Sequence, residues 1–482
     1  MDKSTTAIAE NPVVKDHAPI AHEWGCLHIG DTVPAADAPE LVHSSGLSAW
    51  LSGATSDYRR ETGRDLLGRW QEHFDWLNSR CEQECEAYCK STNTEILPAL
   101  TAFDRTGRAY QGVNLASQDY LNLASSPQVK AAAIDAVARL GVHSAGSAAL
   151  MGNTFVANQL EKELATFLQV QDCTLFSTGW AAGYGIIKTL VRPHDHVVID
   201  LLAHACLQEG AKDATDNVHH FRHCSTQALE AKLKRIRATE PDAGILVVTE
   251  TLFSMDSDTP DIAAAQALAT QYGATLVVDI AHDLGAIGPD GTGYLGLQGM
   301  LGKVDVVMGS FSKTFASNGG FVATNHPAIK LALRYNCGPL TFTNAITPIA
   351  ASIVRECLAI VQSREGATRR EQLLRNSVHL RTGMAAAGFE ILGQPSAIVP
   401  VILGNGALSR LMTKHALRLG GIVNLVEYPA VSKNTCRWRL QVMAQHTSAQ
   451  MDEFVRIAVE ARRLANKELA AILADHQQAT TA

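Results

Sequence analysis

Lys313 stands among hydroxylated residues directly after an apolar segment. Upstream, Val304–Gly309 is β-branched and ends in glycine, which predicts a short buried strand. Ser310 and Ser312 come three and one residues before Lys313, and two hydroxyls at this spacing suit an anchored phosphate. A lysine at the buried end of a strand suits Schiff-base chemistry, because burial and a neighbouring cation lower the pKa of its amine. The alternative is a surface lysine that caps the strand, and this segment alone only slightly favours the chemical role.

A second apolar segment ends in a carboxylate. Thr275–Val278 leads into Asp279, and His282 follows three residues later. An aspartate here could be a plain helix N-cap. Pyridoxal 5′-phosphate (PLP) gives a stronger reason, because its pyridine nitrogen must stay protonated to act as an electron sink, and a buried aspartate keeps it so. His282 can then bond the phenolic oxygen of the ring. Asp279 and Lys313 together predict a PLP site, although either alone is a weak signal.

Two further segments carry groups that suit a flat, phosphorylated cofactor. Leu175–Gly183 contains a small-residue turn leading into a helix, an arrangement that presents backbone N–H groups to a phosphate. His204 follows a predicted strand, His196–Asp200, and its imidazole could stack on a heterocycle. By itself, His204 is better explained as an ordinary histidine at a helix start.

Taken together, these motifs resemble the α-oxoamine synthase family of fold-type I PLP-dependent enzymes, which includes serine palmitoyltransferase and 8-amino-7-oxononanoate synthase. The likeness runs from about residue 112 to 447. Asp279–His282 is similar to the family's Asp-Glu-Ala-His, and Phe253–Asp258 to its Phe-Ser-Met-Asp-Gly-Asp turn. Ser310–Lys313 with the later Gly319-Gly320 is similar to its Thr-x-Ser-Lys and Gly-Gly pair. The glycine pair argues against ordinary aminotransferases, where an arginine is common at that distance.

The resemblance implies a role for each matching residue. Lys313 would hold the cofactor as an internal aldimine and then act as acid and base. Asp279 would hold the pyridinium, His282 the phenolic oxygen, and His204 would stack on the ring. The residues implied to line the phosphate site and the adjoining loop are Ser310, Ser312, Gly179, Trp180 and Ser254. Thr343 is the candidate for a hydroxyl that the neighbouring subunit of a homodimer contributes in this family.

The substrate carboxylate requires a cation, and one segment offers two. Cys436–Val442 alternates polar and apolar residues, so Arg437, Arg439 and Gln441 share one face of a predicted strand. Two exposed arginines on an edge strand are the alternative. The following Ala444–Thr447 resembles the family's Ala-Ala-His-Thr, and this register puts Arg439 at the carboxylate-binding position. A bidentate arginine–carboxylate contact fixes orientation as well as affinity.

The composition is consistent with a globular enzyme. A chain of 482 residues with 46% hydrophobic content can bury a large core and should fold as more than one domain. The net charge of −7 does not suggest nucleic-acid binding. A signal peptide and a long apolar run are both lacking, which predicts a cytoplasmic protein without a membrane span. The ten cysteines lack paired metal spacing, so we expect reduced thiols and no metal.

The coarse pattern divides the chain into three parts. Residues 1–95 form an N-terminal extension that is irregular for about forty residues and then helical, with Leu66, Leu67, Trp70, Phe74 and Leu77 on one side. We expect this side to pack on the body or on a dimer partner. Residues 96–345 form a large PLP-binding domain whose alternating strands and helices predict a mainly parallel sheet. Residues 346–482 form a smaller α+β domain. The fold class is therefore α/β, which the resemblance specifies as a fold-type I PLP-dependent transferase of the aspartate aminotransferase type.

The resemblance also implies a reaction. An acyltransferase of this type (EC 2.3.1) condenses a small amino acid with an acyl thioester, carried by CoA or an acyl carrier protein, and releases carbon dioxide to give an α-aminoketone. Serine, glycine and alanine are the candidate amino acids. Ala148 and Ala157 stand where arginine and histidine are common in the family, and Gln118 replaces the usual asparagine or tyrosine beside the substrate. These differences concern the substrate and leave the cofactor assignment intact.

Two other hypotheses remain. The chain could be a PLP-dependent aldolase or aminotransferase on the same scaffold, which would turn over without any acyl thioester. It could also be a non-catalytic subunit, since serine palmitoyltransferase pairs include a chain without the Schiff-base lysine. The presence of both Lys313 and Asp279 argues against a non-catalytic subunit.

Overall fold

The protein was analysed as a computed structural model, which describes residues 47–59 and 62–481. The predicted irregular stretch of about forty residues lies outside this part of the chain. The described chain opens with short helices followed by one longer helix. They are α1 (Ala49–Ser52), α2 (Thr55–Tyr58), a 3-10 turn (Gly68–Trp70) and α3 (Gln71–Glu82).

The apolar side expected in this N-terminal part differs from the observed one. Leu66 and Leu67 are 65% and 85% exposed and precede the helix, whereas Trp76 is 1% exposed within α3. The reason is a local turn: Asp65 Oδ1 accepts hydrogen bonds from the N–H groups of Leu67 and Gly68, at 3.0 Å each. This competing side-chain bond turns the backbone away from a continuous helix.

A seven-stranded sheet forms the centre of the large body, in the order β3-β9-β8-β7-β6-β4-β5. In chain order the elements up to residue 341 are β1 (Ala99–Phe103), β2 (Ala109–Asn114), α4 (Pro127–Leu140), α5 (Phe155–Leu168), β3 (Asp172–Phe176), α6 (Gly179–Leu190), β4 (His196–Asp200), α7 (Ala205–Ala214), β5 (Val218–Phe221), α8 (Thr226–Thr239), β6 (Ile245–Glu250), α9 (Ile262–Gln271), β7 (Thr275–Asp279), α10 (Gly293–Leu297), β8 (Val306–Ser310), β9 (Gly320–Thr324), α11 (Pro327–Asn336) and α12 (Gly338–Thr341).

Five neighbouring strands of this sheet are parallel, and β9 runs antiparallel to both β8 and β3. Strands β4, β6 and β8 are buried along their whole length. Continuous Val and Ile runs are expected where helices cover both faces of a parallel sheet. Two apolar clusters lie on its two sides and include helices α5 and α6 respectively. All the parallel strands therefore end at one edge, where short loops carry the polar residues.

The C-terminal part contains a second, antiparallel sheet in the order β10-β11-β14-β13. The remaining elements are α13 (Pro348–Val361), α14 (Arg364–Ala386), β10 (Glu390–Ile391), β11 (Ile398–Gly404), α15 (Gly406–Arg418), β12 (Gly421–Ile422), β13 (Leu425–Val426), β14 (Cys436–Gln441) and α16 (Ser448–Thr481). The β1–β2 hairpin belongs to this end of the molecule, because β12 pairs in parallel with β2. The predicted α/β class, with a large mainly parallel sheet and a small α+β part, is confirmed.

Buried ion pairs hold the N-terminal helices on the C-terminal part. Glu427 lies between two arginines, with Oε2 3.1 Å from Arg80 Nη2 and Oε1 2.6 Å from Arg410 Nε. Both guanidinium groups also lie over the indole ring of Trp76, at 4.9 and 5.6 Å from its centroid. Arg410 donates further hydrogen bonds to the carbonyls of Leu51 and Gly53. Because every charge here has partners, the N-terminal segment is fixed against β13 and α15.

Among the described residues, we find no helix that combines the length and the apolar character needed to cross a membrane.

Candidate active site

The ends of three adjacent parallel strands define the candidate site. Glu250 at the end of β6 is paired in register with Asp279 at the end of β7, which is paired with Met308 in β8. Ser310 ends β8, and Lys313 follows in the next turn. Open α/β sheets bind ligands outside the carboxyl ends of their strands, and the polar residues here converge at that edge.

Lys313 is partly buried, and its side-chain amine makes no hydrogen bond or ion pair within the described chain. Its pKa is lowered, chiefly because burial disfavours the charged amine, and the nearby cation Arg439 adds to this. The carboxyl groups of Asp279 and Glu250 act in the opposite direction. A free amine with a lowered pKa is the form that a nucleophilic or proton-transferring lysine requires.

Asp279 lies beside Lys313 with little access to water. Its Oδ1 accepts a hydrogen bond from the Ala281 N–H at 2.8 Å. Burial raises the pKa of Asp279, while Lys313 and His204 lower it in part. Glu250, in the neighbouring strand, has a pKa raised well above its usual value by burial and by the Asp279 charge. The direction of this shift favours the protonated form of Glu250 beside Asp279, which reduces the repulsion between the two carboxyl groups.

His204 caps α7 and approaches the same edge. Its backbone N–H donates to Glu250 Oε1 at 2.5 Å, and its Nδ1 accepts from the Cys206 N–H at 3.3 Å. Burial lowers the pKa of the imidazole, so its ring is neutral at pH 7. Trp180 approaches the imidazole edge-on, with 6.0 Å between ring centroids. A neutral imidazole whose Nδ1 is bonded and whose ring contacts Trp180 is suited to stacking on another ring.

The turn that carries His204 is held by an ion-pair network. Asp200 Oδ1 accepts from the Leu202 N–H at 2.9 Å and lies 2.8 Å from His223 Nδ1. His223 Nε2 lies 2.9 Å from Asp258. The two carboxylates raise the pKa of His223 far above its usual range, although burial opposes this. The imidazolium therefore connects the turn after β4 with the Phe253–Asp258 turn.

His282 lies on the other side of the Lys313 cluster. Its Nδ1 forms a 2.9 Å hydrogen bond with the Tyr120 hydroxyl, and both residues are buried. Burial lowers the pKa of His282 well below its usual value, and Lys313 and Arg439 contribute. With Nδ1 occupied by Tyr120, Nε2 has no partner in the described chain and is available to a ligand.

The start of α6 lies very close to the end of β8. A Cβ atom on Gly179 would come within 2.5 Å of Ser310 Oγ, and one on Gly320 would come within 2.6 Å of the Gly179 Cα. Ser310 Oγ and Ser312 Oγ are 2.7 Å apart. The first N–H groups of a helix have no intrahelical acceptor, so this turn presents N–H donors and two hydroxyls to one small volume.

The two arginines of β14 have different surroundings. Arg437 forms an ion pair with Asp256 and donates to the Met255 carbonyl at 3.1 Å. Arg439 has no carboxylate partner within the described chain, and its buried Nε makes no hydrogen bond there. Burial lowers the pKa of Arg439, against a small opposing effect of Tyr120. β14 lies between β11 and β13, so the alternative of exposed arginines on an edge strand is wrong.

Two adjoining cavities open at these residues. One, of about 360 Å³, is lined by Lys313, Gln118 and Ser312. The other, of about 550 Å³, is lined by Arg439. Ile96 and Ser117 line both cavities, so the lysine and the arginine face adjoining spaces.

The other two unusual positions lie elsewhere in the described chain. Ala157 is 1% exposed in the main core, and Ala148 packs against the second apolar cluster. The Phe253–Asp258 turn, which includes Ser254, is held by Arg437 and His223. Gln118 is thus the only one of the three substitutions that lines the Lys313 cavity.

Thr343 lies apart from this cluster within the protomer. It is exposed in the loop after α12, next to Phe342, which is 89% exposed. The loop is attached to the site by its neighbour Asn344, whose carbonyl accepts from Ser177 Oγ at 3.0 Å and which forms a β-bridge with Ser147. The Thr343 hydroxyl makes no hydrogen bond to a described residue of the Lys313 cluster.

Tyr120 and Glu250 are site residues that the sequence analysis did not assign. Glu250 carries the same signal as Asp279, a carboxylate at the end of an apolar strand, one strand over. Tyr120 had no such signal, because its contact with His282 joins residues 162 positions apart.

The residues present fit PLP in three respects. The close Gly179–Ser310 contact leaves N–H and hydroxyl donors for a phosphate. Asp279 is a buried carboxylate that a protonated ring nitrogen would neutralise. Lys313 is a free amine of lowered pKa. The imidazoles of His204 and His282 belong to the same cluster, because the charge of Lys313 lowers the pKa of both.

Comparisons with known sequences agree with this geometry. The family model for aminotransferase class I and II matches residues 110–457. The chain is 34% identical over 383 residues to the 8-amino-7-oxononanoate synthase of Anaeromyxobacter dehalogenans, covering 79% of this chain and 94% of that one. It is also 34% identical over 345 residues to a Mycobacterium tuberculosis protein named "Putative 8-amino-7-oxononanoate synthase 2", covering 72% of this chain. The match spans only 44% of that second, longer relative.

Solved structures give a consistent result. The serine palmitoyltransferase of S. paucimobilis, determined with bound PLP and myriocin, superposes with a TM-score of 0.78 at 29% identity. The match covers 84% of this chain and all of that one, 100%. The predicted fold-type I architecture and the PLP cofactor are thereby confirmed.

Proposed function

The chain belongs to the α-oxoamine synthase family, and from this premise we propose that it condenses a small amino acid with an acyl thioester. The products are an α-aminoketone, carbon dioxide and the free thiol. The main support is the pair of a partly buried Lys313 and a partly buried Arg439 in adjoining cavities, since neither side chain has a carboxylate partner among the described residues. Such a pair can hold an amino acid by its carboxylate and accept its α-proton.

Arg439 binds and orients the amino acid. Its guanidinium meets the substrate carboxylate, which replaces the acidic partner that the described chain does not provide. This contact keeps the carboxylate in place while the α-proton is removed, so deprotonation precedes loss of carbon dioxide. Gln118 lines the Lys313 cavity and contacts the amino acid there.

Lys313 moves the proton. In the bound state the cofactor supplies an aldehyde for the amino group and an electron sink for the α-carbon. Lys313 Nζ would hold the cofactor before the substrate arrives and would afterwards take the α-proton, which its lowered pKa favours. Asp279 would keep the ring nitrogen of the cofactor protonated, and His204 would stack on the ring. His282 would donate from Nε2 to the phenolic oxygen, while the Tyr120 hydroxyl holds Nδ1.

The start of α6 and the end of β8 would hold the cofactor phosphate. Gly179, Trp180, Ser310 and Ser312 would supply N–H and hydroxyl donors there, and Ser254 belongs to the adjoining Phe253–Asp258 turn. We further propose that Thr343 reaches the phosphate of the partner subunit in a homodimer. Its exposure and the apolar residues around it support this arrangement. The described cysteines form no disulfides, which is consistent with a cytoplasmic location.

Thiol release by the PLP-loaded protein is the direct test. The protein is mixed with glycine, alanine or serine, with and without a saturated acyl-CoA, and free CoA and carbon dioxide are measured. We expect both products in equal amounts with one amino acid, and neither without the thioester. Lys313→Ala should lower the rate about 100-fold or more, whereas Lys234→Ala, an exposed lysine on α8, should not. Amino-acid turnover without any thioester would instead indicate an aldolase or aminotransferase.

A further inference from the structure

Cys206 lies against the imidazole of His204, the ring that the candidate site offers for stacking. Its Sγ is 3.0 Å from His204 Nδ1, and its backbone N–H donates to the same nitrogen at 3.3 Å. The side chain of Cys206 is 2% exposed. A Cβ atom on Gly183 of α6 would come within 2.6 Å of this sulfur, so the glycine leaves the space that the thiol occupies. The thiol is therefore enclosed between α6 and the ring.

The backbone contact determines which nitrogen of His204 carries the proton. A backbone N–H can only donate, so Nδ1 is the acceptor in the bond from Cys206. In the neutral ring the proton then lies on Nε2. Because Nδ1 has no hydrogen to give, the thiol is the donor in the contact of Sγ with Nδ1. Nδ1 thus receives two hydrogen bonds, and Nε2 has no hydrogen-bond partner among the described residues.

The thiol keeps the proton that this contact requires. Burial raises the pKa of Cys206, and the nearby carboxyl groups of Asp279 and Glu250 raise it further. The charge of Lys313 acts in the opposite direction. A protonated thiol is a weak donor but can still bond to an unprotonated ring nitrogen. The contact therefore stabilises the neutral form of the imidazole.

The backbone of His204 is held independently of the thiol. Its N–H donates to Glu250 Oε1 at 2.5 Å, and its carbonyl accepts from the Leu207 and Gln208 N–H groups at 2.9 and 3.1 Å. These bonds fix the place from which the side chain starts, but they leave its rotation open. The contact with Cys206 supplies that constraint, because it sets the direction of Nδ1 and hence of Nε2.

Charged groups from four other parts of the fold face the same ring. They are Glu250 at the end of β6, Asp279 at the end of β7, Lys313 after β8 and Arg439 in β14. Burial lowers the pKa of His204, Asp279 opposes this, and the two cations add to it. A protonated His204 would offset the negative charge of Asp279, which the ring nitrogen of the cofactor needs. A donor to Nδ1 helps to avoid this, because it stabilises the neutral ring.

We propose that Cys206 is a positioning residue that fixes the imidazole of His204 as the tautomer protonated on Nε2. The ring then meets the cofactor in one orientation, with Nε2–H as its single donor. This inference rests on the stacking role that the proposed function gives to His204. Cys206 acts through His204 and takes no part in the proton transfer itself. A hydroxyl in place of the thiol keeps a donor at Nδ1, whereas a methyl group removes it.

Exchange of the histidine C2–H, followed by mass spectrometry over a pH series, measures the pKa of His204 in the full chain. It is recorded for the wild type, Cys206→Ala and Cys206→Ser, with and without PLP. We expect Cys206→Ala to raise the pKa of His204 by about 0.5, because a donor that stabilises the neutral ring is lost. Cys206→Ser should keep the wild-type value, since its hydroxyl donates from the same place. Cys173→Ala, at a cysteine of β3 that is 1% exposed, is the control for a lost buried thiol.

The same variants separate this inference from the proposed function. In the PLP-loaded protein, acid should change the visible absorption of the cofactor at a higher pH in Cys206→Ala than in the wild type or in Cys206→Ser. This contrast supports the role of the thiol even if no thioester is consumed. An unchanged pKa of His204 in Cys206→Ala, or equal shifts in the alanine and serine variants, would overturn it. Condensation by the wild type would leave the proposed function standing in that case.

Discussion

Arg437 and Arg439 lie two residues apart on β14, yet in the described chain only Arg437 has a carboxylate partner. We expect Arg439→Gln to raise the KM for the amino acid about 10- to 100-fold, because a charge-assisted contact to the carboxylate is lost. Arg437→Gln should instead lower the melting temperature, since it leaves Asp256 without its partner. Steady-state kinetics and thermal unfolding of both variants check this. A larger KM effect in Arg437→Gln would contradict it.

The Tyr120–His282 pair gives a second residue-level prediction. Tyr120→Phe removes the hydrogen bond that fixes the imidazole, at a cost of about 1 kcal/mol, and should lower kcat about fivefold. The visible absorption band of the bound cofactor should shift, because His282 would no longer be held against the phenolic oxygen. Tyr272→Phe, at an exposed hydroxyl bonded to Glu230, is the matched control. An unchanged spectrum in Tyr120→Phe would place His282 away from the ring.

Residue types at strand ends made much of the site predictable. Asp279 and Lys313 follow apolar runs that could only be buried strands, and the period-two alternation in β14 singled out Arg437 and Arg439. The residues that these side chains contact could not be predicted from the sequence in the same way. Whether Arg437 is paired depends on Asp256, which is 181 residues away in the sequence.

At the scale of elements, His446 connects the end of β14 with the end of β2. Its Nδ1 accepts from the Met443 N–H at 2.9 Å, and its Nε2 donates to the Asn114 carbonyl at 3.1 Å. The bond that Nδ1 accepts requires a neutral ring, and burial lowers the pKa of His446 to about 4. The unfolded chain has an ordinary histidine pKa of about 6.5. The unfolded state therefore binds more protons between these values.

This difference predicts an acid limb in the stability of the protein. The contribution of His446 is fully present above pH 6.5 and is lost as the pH falls towards about 4, by roughly 3 kcal/mol in total. His446→Asn should be less stable than the wild type at pH 7 but should lose less stability between pH 6.5 and 4. Urea unfolding at a series of pH values measures both slopes. Equal slopes would show that His446 is protonated in the folded protein.

The helical part of the N-terminal extension shows how far the spacing of apolar residues can predict a helix and its buried face. Five apolar residues at helical spacing suggested one buried face, but Asp65 bonds to two backbone N–H groups and starts the helix later. The anchor is Trp76, whose Nε1 donates to the Ala49 carbonyl at 2.8 Å. The hydrogen bonds of Asp65 and the guanidinium groups of Arg80 and Arg410 over Trp76 thus determine which face of α3 is buried.

At the scale of the whole molecule, several large apolar side chains remain exposed. Leu150, Met151 and Phe155 are 83%, 90% and 77% exposed around the start of α5. Phe342, beside Thr343, is 89% exposed. A patch of this kind marks an interface, which supports the proposed homodimer. In such a homodimer Thr343 would contact the cofactor site of the partner subunit, although it is not part of the site in its own protomer.

Met151→Asp tests this assembly. A charge in the interface should convert the dimer to monomers at micromolar concentration, measured by size-exclusion chromatography with light scattering. Activity should fall at least about 10-fold with it, because each phosphate site would lose the partner's hydroxyl. Leu297→Asp, at an apolar residue exposed on α10, is the control that should remain dimeric. A fully active monomer would remove Thr343 from the site.

The Arg80–Glu427 pair joins residues that are 347 positions apart in the chain. During synthesis the N-terminal segment leaves the ribosome long before Glu427 is added to the chain. Arg80 and Trp76 therefore stay exposed to solvent for most of the translation time. The central sheet can form meanwhile, because its strands lie between residues 172 and 324. The segment that Arg80 holds against Glu427 is therefore among the last parts of the molecule to assemble. A nascent chain stalled before residue 427 would carry the cofactor-binding edge without a closed substrate cavity.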